Sequence, residues 1–152
     1  MSRRTATTWL LAALCTVATP GSWAQPSAPS RFAVVDVYVD SNAPVAAWQF
    51  ELRERRGRMQ VVGIEGGEGQ GFREPPFYDQ RAVARGTSDR VIVASYSLSA
   101  PEQLPSGRVR VASVHVRLLG EATPDYELRL VAAGTADGHA IDAKISLETR
   151  GR

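Results

Sequence analysis

Between Phe32 and Leu147 the chain is a succession of short runs in which apolar and polar residues alternate, cut by Gly, Pro, Asp and Asn. A period of two places successive side chains on opposite faces of an extended strand, so each run reads as a strand with one face in a core and the other in water. The pattern is plainest near the end, where Ile141, Ala143, Ile145 and Leu147 share one face and Asp142, Lys144, Ser146 and Glu148 the other. No convincing helix follows the first 24 residues. The predicted class is therefore all-β: a two-layer antiparallel β-sandwich of roughly seven to nine strands.

The first 24 residues belong to a different kind of segment. Arg3 and Arg4 precede the apolar run Trp9 to Val17, and Ser22-Trp23-Ala24 supplies small residues where a signal peptidase reads, so residues 1–24 are expected to be a signal peptide. The run is too short for a membrane-crossing helix, which needs about 20 apolar residues, and no membrane span is expected in the mature chain. The expected location is exported, periplasmic or extracellular. Gln25 to Ser30, with Pro26 and Pro29, reads as a flexible leader into one domain over residues 31–149.

Export changes the charge argument. The full chain has 18 Lys and Arg against 16 Asp and Glu; losing Arg3 and Arg4 leaves 16 against 16. A neutral mature protein lacks the clustered cationic surplus that nucleic-acid binding requires, and no nucleic-acid partner is expected. Arg53, Arg55, Arg56 and Arg58 cluster, but Glu51 and Glu54 interleave with them as in a solvated hairpin turn. Cys15, the single cysteine, leaves with the signal, so the domain must hold together by its core, without a disulfide or a thiolate metal site.

Along the domain, Val35, Val37 and Val39 share a face in the first strand, Trp48, Phe50 and Leu52 in the second, and Met59 to Glu65 form a third that runs into the glycines Gly66, Gly67, Gly69 and Gly71. Residues 72–90 are the least regular, with a helical turn expected at Gln80 to Ala84. Ile92, Ala94, Tyr96 and Leu98 point one way in the next strand. From Arg108 to Leu119 the apolar phase slips from Val109 and Val111 to Ala112, Val114, Val116 and Leu118, which predicts a β-bulge near Val111-Ala112. Tyr126, Leu128, Leu130 and Ala132 mark another strand. Asp137-Gly138 is a turn before the last, Ala140 to Glu148.

The order of these pieces resembles cohesin domains of the carbohydrate-binding-module and cohesin sandwich superfamily over nearly the whole mature chain, with Arg90 to Ser97, Gly107 to Leu119 and Asp137-Gly138 with its closing strand similar to that family's second half. Phe32 to Val39 is similar to that family's opening strand, Val45-Ala46-Ala47-Trp48-Gln49-Phe50-Glu51-Leu52 to its second, and Met59 to Gly67 to the strand and glycine turn that follow. The resemblance implies a cohesin-like jelly-roll and a noncatalytic module. Cohesins bind dockerin partners through one sheet face, and related modules bind polysaccharide; the implied partner is a dockerin-like or other exported protein, or a polysaccharide. None of the family's partner-contacting positions transfers to a residue here.

The candidate site comes from the residues themselves. Phe72 to Asp79 opens on Phe72 and combines two stiffening prolines with Phe77 and Tyr78, which Glu74 and Asp79 flank, and aromatics in a preorganised loop limit the ordering entropy of binding. The competing role is to fold back and cover an open end of the sandwich. A sugar-binding site would instead need Tyr38, Phe77 and Tyr78 exposed in one plane, since Trp48 is inward by phase. For catalysis the mature chain offers only His115 and His139, without a G-x-S-x-G nucleophile. Asp36 with Asp40, or Asp137 with Asp142, lack the spacing of a calcium loop. No catalytic residue, metal or cofactor is assigned.

Overall fold

The computed structural model describes residues 29–151. The expected signal peptide and residues 25–28 of the leader lie outside the described residues. Seven strands form the domain: β1 (Ser30–Ser41), β2 (Ala47–Glu54), β3 (Met59–Gly66), β4 (Arg90–Tyr96), β5 (Gly107–Leu119), β6 (Tyr126–Gly134) and β7 (Lys144–Gly151), with one short helix, α1 (Gln80–Ala84), between β3 and β4. All pairings are antiparallel. One sheet has the order β3-β5-β1-β7 and the other β4-β2-β6. No helix among the described residues is long and apolar enough to cross a membrane.

The core is what the alternation dictates. Val35, Val37 and Val39 from β1, with Val114, Val116 and Leu118 from β5, face Trp48, Phe50 and Leu52 from β2 and Val91 and Val93 from β4, all buried in one cluster. Each such side chain contributes roughly 1.5–3 kcal/mol by leaving water. Trp48 stacks on Phe50 with centroids 5.4 Å apart and meets Phe72 edge-on at 5.8 Å. Ile141, Ala143, Ile145 and Leu147 pack against the same cluster from its open side.

The phase slip in β5 is a bulge at the expected place. Val37 pairs with Ala112 and Tyr38 with Arg110, so Val111 has no partner on β1. Both Val111 and Ala112 are fully buried, which is why two adjacent apolar residues occupy the site. Val131 is skipped in the same way, between Ala132 opposite Gln49 and Leu130 opposite Phe50. The inward position at that end of β6 is therefore Ala133, and Ala132 is turned outward.

One strand boundary needs correction, and in β4 the structure decides which face is inside. The last strand begins at Lys144, because residues 139–143 cross between the sheets. The Ile141 N–H donates to the Ala133 carbonyl at 3.0 Å, and the Ser41 hydroxyl lies 3.5 Å from the Asp142 carbonyl. In β4, Ile92, Ala94 and Tyr96 share a face as expected, and it is the outer one. Val91 and Val93 oppose Leu52 and Phe50 and fill the core.

The β2–β3 turn is held by a buried carboxylate. Glu54 accepts the N–H groups of Arg56 and Arg58 through one oxygen, at 3.0 and 2.9 Å, and that of Asp125 through the other at 3.0 Å. Burial raises its pKa, but these donors outweigh burial and hold the carboxyl below the ordinary range. The interleaved Glu and Arg of that turn are thus a device for closing it.

Candidate functional site

Segment 72–79 does three different things. Phe72 is 1% exposed and belongs to the core, so its assignment to a binding surface is corrected: its ring closes the sandwich over Trp48. Tyr78 packs partly buried against the same cluster. Asp79 caps α1, accepting the N–H groups of Arg81 and Ala82 at 3.0 Å each, as short acidic side chains do at helix starts. Glu74 is exposed, and its carbonyl lies in the backbone that passes over Gly66. Covering the core is therefore the part played by Phe72 and Tyr78, while Phe77 remains 65% exposed.

Phe77 is held in place by backbone. Its N–H donates to the Ala94 carbonyl at 2.8 Å and its carbonyl accepts the Ala94 N–H at 3.0 Å, adding a one-residue bridge to the outer edge of β4. Opposed residues put their side chains on the same face. Ala94 faces outward, so the Phe77 ring does too, and it lands diagonal to Tyr96. The two rings lie parallel within 5° with centroids 5.9 Å apart, in the offset arrangement aromatic pairs prefer.

These rings border a floor of small side chains. One row across the sheet runs Phe77, Ala94, Gln49 and Ala132, and the next runs Tyr96, Ala47, Gly134 and Ala140. Together they line an open depression of about 460 Å³, mostly apolar, with Gln49 in its lining. The other half of the same face is charged. Glu51 lies between Arg90 at 2.5 Å and Arg129 at 2.8 Å, and Glu127 joins Arg53 at 2.6 Å and Arg55 at 3.0 Å. The hydrogen bonds from Arg90 and then Arg129 bring the Glu51 carboxyl down to about 2. Arg53 first, then Arg55, lowers Glu127.

Tyr38 lies elsewhere. It is on the outer face of the four-stranded sheet, with the Arg108 guanidinium carbon 3.6 Å above its ring centroid and its hydroxyl 3.4 Å from Glu148. With Tyr38 on the opposite layer and Tyr78 packed inward, the three rings expected in one sugar-binding plane are not brought together. The condition for that plane is not met, and Phe77 has Tyr96 as its neighbour. His115 is beside Glu65 on the same outer face as Tyr38, Nε2 to Oε1 3.2 Å, and the exposed His139 is beside Asp137. Among the described residues, no group of three or more His, Cys, Asp and Glu side chains converges as a metal site would require.

The residues that sequence reasoning missed are Tyr96, Ala47, Ala94, Gln49, Ala132 and Gly134. The available signal was β4 itself, Arg90–Tyr96, which is apolar on both phases. A strand with one face in water has no need of Ile92 and Tyr96 opposite Val91 and Val93. Against protein-family models, curated proteins and solved structures, the chain matches none.

Proposed function

We propose that this chain is an exported, noncatalytic interaction module that binds a protein partner on the outer face of the β4-β2-β6 sheet. The observation that carries the reading is the exposed Phe77–Tyr96 pair standing beside a floor of Ala47, Ala94, Ala132 and Gly134. Small side chains let a partner's backbone come close. Rigid aromatic rings supply apolar contact area at little entropic cost, which is how interface anchors work. The occupant is an extended peptide segment or loop that seats an aliphatic side chain between the ring pair and Gln49. Use of a sheet face for protein recognition agrees with the resemblance to cohesins.

A polysaccharide ligand is the second reading, favoured by the exposed aromatics alone. It is weaker because a sugar platform needs open ring faces laid side by side, and here each ring turns part of a face to the other.

The test is selection of displayed peptides on the immobilised protein, with a glycan array in parallel, comparing wild type with Phe77→Ala/Tyr96→Ala. The expected result is enrichment of aliphatic-containing peptides whose affinity falls by about tenfold or more in the double variant. Glycan binding that the same variant abolishes would replace this reading with the second, and binding to neither would remove both.

A further inference from the structure

β7 is the outermost strand of the four-stranded sheet, paired to β1 on one side and, among the described residues, to nothing on the other. An eight-residue open edge invites another strand, and natural sheets shorten, bulge, cover or charge such edges; this one is charged, so a second strand is admitted only in a register that pairs opposite charges. Here the edge is regular, and its outward face reads Lys144, Ser146, Glu148, Arg150, while Asp142 lies before the strand in the segment that crosses between the sheets.

That order is self-complementary. In an antiparallel pair of identical strands about a two-fold axis, opposed residues share a face, so each register is named by the residue at its centre. Centred on Ser146, Lys144 faces Glu148 of the second copy, twice by symmetry. Ile145 then meets Leu147 on the inner face. Moving the centre by one same-face or opposite-face step brings like charges together or forfeits the ion pairs. Centring on Leu147 sets Lys144 against Arg150, on Lys144 sets lysine against lysine, and on Glu148 sets glutamate against glutamate, while centring on Ile145 sets Lys144 against Ser146 and forms no ion pair within the strand.

We propose that β7 pairs with β7 of a second copy in the Ser146-centred register, joining two four-stranded sheets into one of eight strands. The charges needed are accessible: Glu148 bonds Arg108 at 2.7 Å yet is 59% exposed. Lys144 has no salt bridge among the described residues. The edge belongs to the opposite layer from the Phe77–Tyr96 depression, so a dimer would present two such depressions and bind a multivalent partner with avidity.

Sedimentation velocity of the purified protein, from micromolar to millimolar concentration, tests this, with unfolding curves confirming that each variant is folded. Wild type should show a monomer–dimer equilibrium that weakens as salt rises from about 0.15 M to about 1 M. Lys144→Glu and Glu148→Lys, each alone, should weaken self-association by about tenfold, because each sets like charges opposite one another twice. An equimolar mixture of the two single variants should associate again, since every facing pair is then opposite in sign, and so should the double variant. A wild type that stays monomeric throughout overturns the proposal. So does a dimer indifferent to the single reversals, or one that the mixture fails to restore.

Discussion

The rings of Phe77 and Tyr96 lie parallel, 5.9 Å apart, on the outside of the three-stranded sheet, whereas Phe72, five residues before Phe77, stands edge-on to Trp48 inside it. One short segment therefore places one aromatic in the core and offers another to solvent, and their substitutions should separate cleanly. Phe72→Ala should cost about 3–5 kcal/mol, read as a lower denaturant midpoint with an unchanged slope. Phe77→Ala should cost less than about 1 kcal/mol while impairing ligand capture. Equal costs in the two variants would contradict this division.

Glu54 should act as the clasp of the β2–β3 turn. Glu54→Ala leaves three backbone N–H groups without their acceptor and should destabilise by about 2–3 kcal/mol. Glu54→Gln keeps one carbonyl oxygen and should fall between. Amide exchange at Arg56, Arg58 and Asp125 should accelerate more than exchange in β5.

Acid should destabilise the domain, with a sign set by its lowered carboxyls. Glu51 is brought down to about 2 by its arginines. Burial raises Asp36, but hydrogen bonds from Arg150 and Ser113 with the nearby guanidinium charges bring it below the usual value. A carboxyl whose folded pKa is depressed binds fewer protons folded than unfolded, so its stabilisation is complete above the unfolded value of about 4.5 and is lost as pH falls towards the folded one. Melting temperature should decline between about pH 4.5 and about pH 2. Glu51→Gln should make that decline shallower, and a melting temperature flat across the interval would contradict the assignment.

Gly67 is fixed by close approach. A Cβ there would sit 2.1 Å from the Arg110 carbonyl oxygen, and the neighbouring Glu68 N–H donates to that same carbonyl at 2.9 Å. Gly67→Ala should cost about 1–3 kcal/mol by forcing β5 backbone aside. Gly86→Ala, where nothing lies within 4 Å but φ is +67°, should cost about 1–2 kcal/mol from backbone strain alone.

Much of the fold could be read along the chain because strand alternation is a local property. The valines of β1, the Trp48-Phe50-Leu52 face of β2 and the bulge at Val111 all follow from which neighbours are apolar, and each lies where the alternation puts it. The α1 turn is equally local, since Asp79 caps it from the adjoining residue. The outward face of β4 was not readable, because Arg90–Tyr96 is apolar on both phases and a period of two identifies two faces without saying which is inside. That choice depended on Phe50 and Leu52, about forty residues away, opposing Val93 and Val91.

The candidate site lies further still from local information. Sequence alone determined an all-β sandwich, an inward Trp48 and an aromatic, proline-stiffened segment at residues 72–79. Only the tertiary structure decided that Phe72 turns in and Phe77 out, and that the ring beside Phe77 is Tyr96 while Tyr38 and Tyr78 lie elsewhere. The physical reason is that a cross-strand neighbour is set by hydrogen-bond register, here the two bonds between Phe77 and Ala94. Register arises from the burial of whole faces at once, which no single segment contains.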